Sequence, residues 1–132
     1  MAFPTLLTNQ IPDAALRWYA DFLAAASDPN WRRQLPFFAD DALLQANNRV
    51  PAHGQAAIAA ELDRYWRGFS GIRHEPVTIF GYDNHFAVEM LCHYTLEGGK
   101  IFTLPAAGFL SRNAEGRITA LRVFADVTEI FG

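Results

Sequence analysis

The groups in this sequence that could move protons near neutral pH are four histidines and a few carboxylates. His93 is the strongest candidate for a general acid or base. It stands on a run, Phe86 to Leu96, whose even positions Phe86, Val88, Met90, Cys92, Tyr94 and Leu96 are all apolar or aromatic. The odd positions, His85, Ala87, Glu89, Leu91, His93 and Thr95, mix polar with apolar. In a strand these two sets point to opposite faces, so Glu89 and His93 share one. Four residues apart, their Cα atoms are separated by about 13 Å at ~3.3 Å per residue. They could bracket a ligand but could not form a contacting dyad. A carboxylate such as Glu89 in an apolar cavity would hold its proton more tightly and could serve as acid or base. His74 precedes Glu75-Pro76 at the start of another strand and is the third catalytic candidate. The competing roles are structural: a hydrogen-bonded wall histidine for His93, an ion pair with an arginine for Glu89, a solvated loop residue for His74. His53 and His85 fall at turn and rim positions.

Other chemistries lack their residues. No H-x-H or H-E-x-x-H spacing occurs, and Cys92 is the single cysteine, so neither a metal site nor an internal disulfide is expected. Gly98-Gly99 lies in a hairpin rather than a phosphate loop, and no G-x-S-x-G elbow is present. No cofactor is expected.

The elements that would position these groups follow from the pattern. Asp13 can cap a helix whose apolar positions Leu16, Tyr19, Ala20, Leu23 and Ala24 recur at helical spacing, and Ser27-Asp28-Pro29-Asn30 stops it. A short second helix runs from Trp31 into Phe37-Phe38, and residues 42–48 form a candidate strand. Ile58, Leu62, Tyr65, Trp66 and Phe69 then make one apolar stripe on a third helix. From Ile72 onward the period is two. Strands are expected over 77–82, 86–96, 101–112 and 117–127, joined by connections short enough for antiparallel hairpins. Helices first and an antiparallel sheet after them mean an α+β fold. The aromatic residues Trp18, Phe22 and Trp66 on the helices are candidates for an apolar pocket roof.

Composition bounds the partners. The 132 residues are 51% hydrophobic, 14% aromatic and 19% charged, which describes one folded domain over 1–132. A net charge of −3, with arginines scattered, argues against a nucleic-acid partner. The mostly apolar stretch 101–110 is too short for a membrane span, and Met1-Ala2-Phe3-Pro4-Thr5 lacks the basic start of a signal peptide. A cytoplasmic location and no membrane partner are expected.

Three segments carry a family resemblance: Phe37-Phe38-Ala39-Asp40-Asp41 before the first strand, His53-Gly54-Gln55-Ala56-Ala57-Ile58 at a helix opening, and Gly116-Arg117-Ile118 through Arg122-Val123-Phe124-Ala125-Asp126 in the closing strand. With them the chain resembles the SnoaL-like, nuclear-transport-factor-2-like superfamily. That resemblance implies a cone-shaped fold of three helices on a curved, mainly antiparallel sheet around a pocket. The layout is similar to limonene-epoxide-hydrolase-like members, whose tyrosine, asparagine, arginine and two aspartates would fall on Leu44, Ala46, Leu91, His93 and Val123. That polar set is missing, which argues against epoxide hydrolysis and makes Leu44, Ala46, Leu91 and Val123 ligand-binding candidates. Scytalone-dehydratase-like members resemble the chain at His74 and His93, but their tyrosine and aspartate have no counterpart, Ser27 lying near the aspartate position.

The expectation is therefore an isomerase, lyase or cyclase acting on a small apolar organic molecule, with His93 assisted by Glu89 or His74. Isomerisation, dehydration and aldol-type cyclisation all fit. The alternative is a ligand-binding or dimerisation domain of the same fold without catalysis. A homodimer through the sheet is expected from the all-apolar even face of the long strand.

Overall fold

The computed structural model describes residues 11–131, so the reading of residues 1–5 lies outside the described residues. Helix α1 (Asp13–Ala26) begins at Pro12, which donates no N–H and fits the extended entry to a helix. Asp13 makes no side-chain cap; it sits in the first turn, where its charge faces the positive helix end. A 3-10 turn, Trp31–Phe37, leads directly into β1 (Phe38–Ala46), which starts four residues before the expected strand. After the two-residue β2 (Ala52–His53) comes α2 (Gly54–Tyr65), then β3 (Gly71–Tyr82), β4 (His85–Thr95), β5 (Ile101–Arg112), β6 (Ile118–Phe124) and a last short helix, α3 (Thr128–Phe131).

The sheet order is β2-β1-β6-β5-β4-β3. The meander from β3 to β6 is antiparallel throughout, and it brings β6 back beside β1 in parallel. This mixed six-stranded sheet with helices on one face is the α+β architecture expected. Gly81 makes the tight β3–β4 turn possible. Its φ is +138°, and a Cβ there would lie 2.5 Å from the His85 carbonyl oxygen.

Register decides which residues line each face. Tyr94 pairs with Ile72 and Phe102, Cys92 with His74 and Leu104, and Phe86 with Gly81 and Leu110. Residues paired across strands point the same way, so this set shares one face. That face is covered by the helices. Tyr19 of α1 meets Phe86 edge-on at 5.4 Å, Phe22 meets Phe38 at 6.1 Å, and Tyr65 of α2 meets Tyr94 at 6.3 Å. The core is built there from Phe38, Ile58, Phe86, Leu110 and Ile118, all essentially inaccessible. Each such side chain contributes roughly 1.5–3 kcal/mol of burial.

The expected roles of the two faces of β4 are thereby exchanged. Its apolar even residues pack under the helices and cannot support a dimer. The odd residues, Glu89, Leu91 and His93 among them, lie on the outer face. That face nevertheless carries large apolar side chains: Phe80, Tyr82, Phe109 and Phe124 are each 43–45% exposed, and Val77 and Ile101 58%. No helix among the described residues is long and apolar enough to cross a membrane.

Candidate functional site

The helix-covered face brings together a small polar set at the ends of α1 and α2. Ser27 is the C-cap of α1, and its backbone N–H and its hydroxyl both donate to the Leu23 carbonyl, at 2.9 and 2.8 Å. This back-bonding to the residue four earlier is a habit of serine at helix ends. It leaves the Ser27 oxygen 2.8 Å from Nδ1 of His74. His74 stands on the edge strand β3 opposite Cys92, turned toward the helices. Burial pushes its pKa down to about 4, so the ring is neutral at physiological pH.

Diagonal to His74 across the ladder is Tyr94, at the spacing where cross-strand side chains on one face come within ~7–8 Å. Its hydroxyl is hydrogen-bonded to that of Tyr65, the last residue of α2. Two phenols bonded to each other use one proton for the pair and keep the second free to donate. Burial pushes Tyr94 up to about 12 and, with the neighbouring Tyr94 hydroxyl, holds Tyr65 well above the usual phenol range. Both stay protonated. Burial also pushes the Cys92 thiol up to about 11, which makes it a small inert wall group rather than a nucleophile. Phe69 and Phe131 pack on Tyr65 at 4.8 and 5.7 Å, and the indole nitrogen of Trp66 is buried with no hydrogen-bond partner.

The outer face holds a second polar group. Nε2 of His93 donates to Glu75 at 2.8 Å, and Nδ1 is bonded to the Thr103 hydroxyl at 2.7 Å. Arg73 adds a longer ion pair to Glu75 at 3.6 Å. The hydrogen bond from His93 holds the Glu75 carboxyl below its usual range. Glu89 accepts from Thr78 at 3.1 Å. His93 and Glu89 therefore do not join the helix aromatics, because strand parity turns them away. Leu91 goes with them, opposite Glu75 and Pro105. Of the proposed ligand contacts, Leu44, Ala46 and Val123 lie on the helix-covered face of β1 and β6. Trp18 stacks on Phe22 at 6.0 Å, and the Arg112 guanidinium lies over its ring at 4.6 Å.

Two open hollows stand out among the described residues. One of about 440 Å³ wraps the β3 edge between Ser27, Gly71, Ile72, Arg73, His93, Thr95 and Ile101. The other, about 320 Å³, lies between the 3-10 turn, α2 and Arg117, far along the chain from His74. The first has Ser27 in its wall, so it ends one hydrogen bond short of the His74 ring. No group of three or more metal-ligating side chains occurs among the described residues.

Residues 13–121 match the SnoaL-like domain family. The chain belongs to that family. Its fold is shared with solved structures of low sequence identity. The epoxide hydrolase/cyclase-like enzyme SalBIII, described for pyran ring formation in the polyether salinomycin, is 16% identical with a TM-score of 0.74, covering 88% of this chain and 93% of its own. An epoxide hydrolase of the limonene-epoxide-hydrolase-like type from M. tuberculosis is 21% identical with a TM-score of 0.70, covering 90% and 87%. A protein with a ketosteroid isomerase-like fold from Catenulispora acidiphila, solved with trimethylamine, is 16% identical with a TM-score of 0.74, covering 86% and 88%. No curated protein matches the chain in sequence.

Ser27, Tyr65, Tyr94 and Cys92 are the site residues that sequence reasoning did not single out for chemistry. The signal for Tyr94 and Cys92 was present in the even alternation of β4. Ser27 carried its position at a helix end and its place near the aspartate of the scytalone-dehydratase-like members.

Proposed function

We propose that this SnoaL-like protein is a cofactor-independent enzyme that moves protons on a small, largely apolar carbonyl compound, with His74 as general base. The observation that carries this reading is a neutral imidazole on the helix-covered face, bonded through one nitrogen to Ser27. Its other nitrogen has no partner among the described residues. In this reading Nε2 removes a proton from carbon next to the carbonyl, and the C–H electron pair moves onto the carbonyl oxygen. The Tyr65–Tyr94 pair supplies its free proton as a hydrogen bond to that oxygen, where charge develops. The imidazolium then returns the proton to another carbon or to a departing hydroxyl, or the enolate attacks a second carbonyl. These are isomerisation, dehydration and aldol-type cyclisation. A weak base suits an activated C–H, one flanked by two carbonyls or by a carbonyl and an aromatic ring. Trp66, Phe22, Leu44 and Val123 supply the apolar surround, and Glu89 and His93 take no step in the reaction.

The test is deuterium uptake by a panel of aryl ketones and cyclic 1,3-diketones in D₂O, followed by proton NMR. Uptake above the buffer rate that falls about 10²–10⁴-fold in His74→Ala supports the reading. Binding of the same compounds without uptake supports the alternative, a ligand-binding domain. The hollow that stops at Ser27 is the observation favouring that second reading.

We assign the outer face to a second copy of the chain. Phe80, Tyr82, Phe109 and Phe124 form an apolar surface of the kind that marks interaction sites. Light scattering that finds only monomer at high concentration would refute this assignment.

A further inference from the structure

The Ser27 hydroxyl has one proton and two neighbours at 2.8 Å, the Leu23 carbonyl oxygen and Nδ1 of His74. A carbonyl can only accept, so the contact to Leu23 requires the serine proton. If that proton pointed at Nδ1 instead, the serine and carbonyl oxygens would face each other at 2.8 Å as two acceptors, with nothing between them. The arrangement in which every contact is a hydrogen bond is unique. Nδ1–H donates to Ser27, and Ser27 donates to Leu23. We infer that Ser27 is a positioning residue that fixes His74 in the Nδ1–H form and leaves the Nε2 lone pair as the base.

The relay ends in backbone, and this gives it its rigidity. Leu23 lies in the last turn of α1, and its carbonyl also accepts the Ser27 backbone N–H, so the serine is held at two points. Turning the hydroxyl proton toward the ring would forfeit the side-chain bond to Leu23 and leave two acceptor oxygens face to face. A carboxylate in its place would stabilise the charged ring. A hydroxyl bonded to a carbonyl orients the ring without adding a charge. The choice of tautomer by the bond at the other ring nitrogen is a general property of histidine, and enzymes with the wrong tautomer lose up to about 10⁴ in rate. Here the bond is supplied by a residue 47 positions away in sequence, which ties the end of α1 to the edge strand.

This inference rests on the reading of His74 as base, but its first test does not. In the wild-type protein, long-range ¹H–¹⁵N NMR spectra of the His74 ring report which nitrogen bears the proton. A pattern with Nδ1 protonated and Nε2 bare is the expected result. Protonation on Nε2 would overturn the inference whether or not the protein has any activity. The second test is a substitution series. Ser27→Ala should mix the two tautomers in the same spectra and lower kcat for ketone deuterium uptake about 10- to 100-fold with KM little changed. Ser27→Thr, which keeps the hydroxyl, should restore both. A Ser27→Ala protein that folds and keeps the wild-type ring spectrum would refute the positioning role. If the spectra behave as expected but His74→Ala leaves uptake unchanged, the tautomer assignment stands and the catalytic reading fails.

Discussion

His74 and His93 sit on neighbouring strands, one residue out of register, and face opposite sides of one sheet. Their partners make them opposites. The Glu75 carboxylate can only accept, so His93 carries a proton on Nε2, and Nδ1 is bonded to the Thr103 hydroxyl. Both of its nitrogens are occupied and a charged group stands beside it. His74 carries its proton on Nδ1, has no carboxylate bonded to it, and keeps Nε2 open. A histidine with two satisfied nitrogens and an acidic neighbour is a structural or interface residue by its bonding. One with a single neutral partner and a free lone pair is equipped for proton transfer. Residue type alone could not separate them; the face does.

The largest expected effect breaks or keeps this contrast directly. His74→Ala should reduce ketone deuterium uptake by about 10²–10⁴, while His93→Ala should leave it within about twofold, both measured per folded molecule by NMR. Equal losses in the two variants would erase the distinction.

The next effect is in pH. The folded His74 titrates near 4 and the unfolded ring near its ordinary 6.5. Between these values the unfolded chain binds the extra proton, so stability rises with pH across that window and is lost as pH falls through it. The loss is on the order of 3 kcal/mol when complete. Urea unfolding at pH 7, 5.5 and 4 should show this decline in the wild-type protein and a smaller one in His74→Gln. The acid limb of the uptake rate should likewise fall near pH 4. Ser27→Asp, by placing a carboxylate against the ring, should move that limb upward by a unit or more. A wild-type limb near 6.5 would show that the ring is not held neutral by burial.

These two histidines also mark how far the sequence could be read. The alternation along β4 separated Phe86, Val88, Met90, Cys92 and Tyr94 cleanly from the residues between them, and the structure keeps that division. The α+β order and the hairpins of the meander were legible because period and turn residues are local signals. Which face the helices cover is not local. It depends on α1 and α2 folding over the sheet from one side, and a strand with a wholly apolar face looks the same against helices or against a second subunit. The parallel pairing of β1 with β6 was hidden for a similar reason, since it joins residues 77 or more apart, such as Leu44 and Leu121. The Ser27–His74 bond spans 47 residues, and nothing local in a serine at a helix stop ties it to the edge strand.

The outer face gives the third way to sharpen the comparison. Phe109 and Phe124 meet edge-on at 6.0 Å on the surface, beside β4 and away from the helices. Phe109→Glu should convert a dimer to a monomer, seen by light scattering, while uptake by the His74 site changes little. Loss of uptake along with the dimer would mean that the outer face contributes to the reaction.

The smallest effect concerns how the helix-covered face is closed. Phe131 of α3 stacks on Tyr65, and the Arg64 guanidinium lies over its ring at 5.9 Å. Gly68 permits this, because a Cβ there would intrude on the Phe131 ring itself. The obstructed group is the ring at the far end of a side chain rather than backbone, so Gly68→Ala should cost under about 1 kcal/mol. Its effect should be local. Without the Phe131 ring over it, Tyr65 gains water, and the phenol pair donates more weakly to a developing oxyanion because water competes for its proton. The expected result is a few-fold lower uptake rate, with the dimer and the His93–Glu75 bond untouched. A loosened Phe131 ring in proton NMR spectra with unchanged uptake would place the Tyr65–Tyr94 pair outside the reaction and leave His74 to act alone.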